Sequence, residues 1–161
     1  MVKKIVALLF AGFMVSSVAS AELPVIVDIK PKEINKDPVV REYASALWES
    51  FNWDSSDTTF ATVVSGEGMR RIVVQVDAVT VPQAEGSKED VQFAYGVVLA
   101  VDLEGDSPPI FLTQVVGVSK KKDLKKIAYE HATNIKDALR GMPGIMQALQ
   151  SEESLMPPAS K

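Results

Sequence analysis

The chain has 161 residues, a formal charge of −4 and no cysteine. That length suits one domain, and the missing cysteine excludes disulfides, thiolate catalysis and cysteine-ligated zinc. The mildly acidic balance argues against a general nucleic-acid binder.

The first segment, 1–21, carries the three-part pattern of a secretory signal peptide. Lys3 and Lys4 form the positive start, an apolar run from Ile5 to Val15 is broken only by Gly12, and Ala19 and Ala21 supply the small pair before cleavage. The run falls short of the ~20 apolar residues a membrane span needs. Cleavage after Ala21 is therefore expected, giving one α+β domain over 22–150 and a flexible tail over 151–161. The short leader with its Lys-Lys start looks bacterial, so the expected destination is the periplasm or the medium. Position 22 is Glu rather than the cysteine of a lipoprotein anchor. The released protein is expected to be free, with no transmembrane helix.

Residues 23–30 predict a first strand, with Val25, Val27 and Ile29 alternating against Ile26, Asp28 and Lys30. Asp37-Pro38 then opens a helix: an Asp N-cap accepts a backbone N–H, and Pro is tolerated at the first helical position. Val40, Tyr43, Ala44, Leu47, Trp48 and Phe51 make its apolar stripe, opposite Arg41, Glu42, Ser45 and Glu49. Strand-like runs follow at 58–64, 69–81, 91–104 and 110–118, with a turn at 65–68. In the second, Ile72, Val74, Val76 and Ala78 share a face. In the third, Phe93, Tyr95, Val97, Leu99, Val101 and Leu103 alternate with the small set Ala94, Gly96, Val98 and Ala100. Short connections between these runs predict antiparallel hairpins. A second long helix is expected from Ser119 to Arg140, closed by a left-handed Gly141 before Pro143, and a short amphipathic helix over 143–150. The resulting expectation is a two-layer α+β sandwich. Its sheet would be mainly antiparallel, of four to five strands, with both long helices on one face.

Candidate chemistry is thin. His131 is the single histidine, so a His-rich metal site is impossible; it falls on the core stripe, where a structural role is the simpler reading. Ser119-Lys120-Lys121-Lys122 matches Ser-x-x-Lys, but the companion motifs of penicillin-recognising enzymes are missing. Asp102, Glu104 and Asp106 alternate about a turn, yet Ser107 and Thr113 stand where an EF-hand loop needs Gly and Glu. No catalytic residue, metal or cofactor is expected.

Two features point to contact instead. Lys120, Lys121, Lys122, Lys125 and Lys126 form one dense basic patch, suited to an anionic membrane surface or acidic partner, or simply to solvation. Trp53 lies off the helix stripe and suits a binding anchor. The order of elements from Val25 to Arg140 resembles small α+β modules of periplasmic envelope-assembly and transport-auxiliary proteins. The resemblance is one of element order, without a family-specific motif, and the missing lipid-anchor cysteine departs from it. The expected role is an exported, non-enzymatic binding protein that contacts an envelope protein or component through a sheet edge or open sheet face. The alternative is a small-ligand or lipid carrier with an apolar pocket between helices and sheet; an unrecognised hydrolase is a third reading.

Overall fold

A computed structural model describes residues 23–64, 69–103 and 108–150. The expected leader, the 65–68 turn, Glu104, Asp106 and the tail lie outside the described residues. The chain runs β1 (Val25–Pro31), α1 (Pro38–Phe51), β2 (Phe60–Val63), β3 (Arg71–Thr80), β4 (Gln92–Asp102) and β5 (Ile110–Lys120). A 3₁₀ turn (Lys121–Asp123), α2 (Leu124–Arg140) and α3 (Pro143–Gln150) follow.

The five strands form one sheet in the order β2-β1-β3-β4-β5. This corrects the expectation of a mainly antiparallel sheet: the sheet is mixed, because β1 pairs in parallel with both β2 and β3. The cause is α1. A helix between two strands returns the chain to its starting end, so the strands it joins run parallel. The short 64–70 connection does not make a hairpin either, since β1 lies between β2 and β3. Only β3-β4 and β4-β5 are antiparallel.

Alternation along the strands sets the core. Val25, Val27, Ile72, Val74 and Val76 are fully buried, and Phe93, Val97, Leu99 and Val101 continue the same face across β4. Burying each such side chain contributes about 1.5–3 kcal/mol. Tyr43 of α1 reaches this face, its ring 5.8 Å from Phe93 and 5.7 Å from Tyr95. Of the expected α1 stripe, Val40, Tyr43, Ala44, Leu47 and Phe51 are buried; Trp48 is exposed.

Local chemistry places α1. Asp37 Oδ1 accepts the Val39 N–H at 3.0 Å, and Oδ2 accepts the Thr80 N–H at 2.8 Å. One carboxylate thus caps the helix and ties it to the end of β3, and these backbone donors hold its pKa below the usual carboxylate value. Two boundaries differ from expectation. β5 runs on through Ser119 and Lys120, so Ser119 sits in a strand and does not cap α2. Gly141 is right-handed, with φ −72°, and the chain passes directly into α3.

The loop after α1 is fastened to α2 by charge. Lys136, buried, donates to the Phe51 carbonyl at 2.8 Å and stands 3.2 Å from Asp57. Arg140 meets the same Asp57 oxygen at 2.8 Å. Burial alone would raise the Asp57 pKa, but hydrogen bonds from Lys136 and Thr59 outweigh it and leave the group lowered. Asp57→Ala strands the Lys136 charge. It should cost about 3 kcal/mol, the lower end for orphaning a buried ion, because one carbonyl partner remains. Urea unfolding checks this: a midpoint unchanged from wild type would show that the pair holds nothing.

Candidate functional site

β3, β4 and β5 carry a second face, alternating with the core. Its rows follow the pairing register: Val73, Ala100 and Phe111; Gln75, Val98 and Gln114; Asp77, Gly96 and Val116; Val79, Ala94 and Val118. Small residues on β4 make the floor of a trough, and β5 supplies an apolar wall in which Phe111 is 58% and Val116 71% exposed. A Cβ added at Gly96 would meet Val116 at 3.8 Å, an ordinary contact, so this glycine leaves the floor low without any backbone demand. A depression of about 420 Å³ opens at one end beside Asn35, Asp77 and Val79. Asp77 is held ionised there by the Asn35 amide and by Lys32 at 3.3 Å. At the other end Arg71 lies buried between Asp102 at 3.0 Å and Asp28 at 3.5 Å.

β5 is the end strand of this sheet, and no described strand pairs with its outer edge. It is eleven residues long and carries no charge from Ile110 to Ser119. A register shift at Leu99/Ala100 leaves Leu112 as the extra residue between the Phe111 and Thr113 pairs. Edge strands are usually blunted by Lys, Pro, inward charges or brevity; here the first charge arrives only at Lys120.

On the core side, α2 and β5 stand apart. A groove of about 270 Å³ runs between them, walled by Val97, Leu99, Val115, Ile135 and His131. His131 is half-buried, and its Nδ1 meets the Tyr43 hydroxyl. Its ring also lies 5.1 Å from that of Tyr95. Gly117 makes room for Tyr95: a Cβ there would stand 2.5 Å from the Tyr95 Oη. Burial lowers the His131 pKa, and the neighbouring Glu130 opposes that only in part.

The residues singled out from sequence do not converge. Trp53 is 79% exposed and lines a surface hollow with Tyr129, Asp54 and Arg140, away from β5. The basic patch is matched by acids. Lys120 and Lys122 each lie 2.9 Å from Asp90, Lys121 3.4 Å from Glu42, Lys125 4.0 Å from Glu49 and Lys126 3.8 Å from Glu130. Such exposed pairs add little stability, but they offset the local field. Asp102 is engaged by Arg71. Among the described residues no group of three or more His, Asp or Glu could hold a metal ion, and no helix is long and apolar enough to cross a membrane. What sequence reading missed is the pairing of Tyr43 with His131 beside this groove, two residues 88 positions apart.

The chain matches no protein-family model and no curated protein.

Because the folded-state His131 pKa is lowered, the unfolded chain binds the proton more readily. Stability from this site is intact above pH ~6.5 and falls as pH drops below that value. The melting temperature should therefore decline between pH 7 and pH 5, and His131→Gln should flatten the decline. Identical pH profiles for the two proteins would contradict this account of His131.

Proposed function

We propose that the protein is an exported, non-enzymatic binding module. Both long helices serve one face of the sheet, and an extended segment of an envelope protein adds to the other side along β5, resting side chains in the trough over β4. Strand addition draws affinity from main-chain hydrogen bonds and specificity from alternate side-chain sites, so it needs no catalytic group. The observation that carries this reading is β5: long, uncharged as far as Ser119, rich in exposed apolar side chains and unpaired among the described strands. The lysine patch supports a membrane-surface contact less well, since each lysine already stands beside an acid.

A photo-crosslinking residue in place of Val116 should capture one discrete envelope partner in intact cells, while the same residue in place of the exposed Glu85 should not. Equal capture from both positions would overturn the assignment of the site to β5. An adduct of twice the chain mass alone would make the occupant a second copy. N-terminal sequencing of the exported protein should begin at Glu22, and a sequence starting at Met1 would overturn the export reading.

The groove beside α2 favours a second reading, a small-ligand carrier. Its walls include the Val97 and Leu99 positions that an apolar pocket between helices and sheet would use.

A further inference from the structure

The groove between α2 and the β4-β5 pair has a defined chemistry. Val97, Leu99, Val115, Ile135 and Ala138 give it hydrocarbon walls, Thr113 and Asn134 add neutral polar groups, and no charged side chain lines it. An apolar cavity of ~150 Å³ holds benzene. About 270 Å³ therefore takes a ring with a short substituent, or a chain of similar bulk.

His131 supplies the one aromatic polar group in the wall, and the core fixes which of its nitrogens carries hydrogen. Tyr43 is fully buried and its hydroxyl meets Nδ1. If Nδ1 carried the proton and donated it, the phenolic hydrogen of Tyr43 would have no acceptor among the described residues, a cost borne in full at a buried site. With Nδ1 bare, the phenol donates to it and the ring hydrogen goes to Nε2. That second nitrogen has no partner among the described residues. Burial favours the neutral ring, so His131, which lines the groove, carries an uncharged donor.

Resting on the carrier reading, we infer that this groove binds a small neutral molecule that carries one hydrogen-bond acceptor, such as an ester, ketone or amide carbonyl. The acceptor takes the His131 Nε2–H, and the hydrocarbon lies against Leu99, Val115 and Ile135. A carboxylate is disfavoured because no cation stands in the lining to offset its desolvation. A plain hydrocarbon is disfavoured because it would cover the Nε2–H without accepting from it.

Methyl benzoate, ethylbenzene and benzoate separate these cases, each titrated into isotope-labelled protein and followed by NMR at the Leu99, Val115 and Ile135 methyls and the His131 ring. Methyl benzoate should give saturable shifts there. Ethylbenzene should bind roughly two- to tenfold more weakly, the worth of one net hydrogen bond, and benzoate should be the weakest. Ala138→Phe, at an exposed helix position, should fill the groove and remove all binding with the spectrum otherwise retained. His131→Phe should reduce methyl benzoate to the level of ethylbenzene. Equal affinity for ester and hydrocarbon, or tightest binding of benzoate, would overturn the His131 inference and leave the carrier reading standing. Absence of saturable shifts with all three probes would overturn both.

Discussion

The position of β1 governs this molecule. It is the first strand described, yet it lies inside the sheet, in parallel register with β2 on one side and β3 on the other. Parallel pairing is possible here because α1 carries the chain back between β1 and β2. Once β1 is enclosed, β3, β4 and β5 have one direction in which to grow. They step away from β1 as a meander, and the last strand is left as an edge. Contacts of α1 with β1, β3 and α2, and the burial of Tyr43 against Phe93 and Tyr95, hold α1 near β1, β3 and β4. Val115 and Thr113 of β5 are left beside an open groove. The groove and the free edge are thus two results of one topology.

Charge is used in this fold mostly for fastening. Asp37 joins a helix cap to a strand end, Asp57 gathers Lys136 and Arg140, and Arg71 bridges Asp28 and Asp102. Each of these groups has its partner within the fold. The basic patch follows the same habit at the surface, where Asp90 alone serves two lysines. β5 differs in exposing apolar side chains: Phe111, Val116 and Val118 on one side, Val115 on the other. Exposed apolar edges of this length are uncommon in sheets, which usually blunt them.

Much of the secondary structure could be read from residue patterns. The Asp37-Pro38 start, the stripe through Tyr43 and Leu47, the alternation of Ile72 to Ala78 and the short 143–150 helix all rest on local periodicity or capping, which act over a few residues. Strand order does not. Val25, Val27 and Ile29 look the same in a margin strand and a central one, and a seven-residue gap between β2 and β3 looks like a hairpin until β1 is placed between them. Trp48 satisfied the helical spacing but faces solvent, because the stripe is wider than the contact it makes. Ser119 reads as a helix start because Ser favours that position, whereas its pairing with Phe93 keeps it in β5. The candidate site was legible as material: the small residues of β4 and the uncharged run of β5 are plain in the sequence. That they adjoin a free edge is a tertiary fact, and the His131–Tyr43 contact spans 88 positions.

Residue-resolved amide hydrogen exchange on the isolated protein tests the central claim most directly, since exchange reads which backbone donors are held by a partner strand. Amides of Val27, Ile29, Val74 and Val76 should exchange only with global unfolding. Along β5, amides bonded to β4 should be slow, and those on the outer edge should exchange orders of magnitude faster. Uniform protection of every β5 amide, at the level of Val74 and Val76, would mean that the edge is already covered, and would contradict the account.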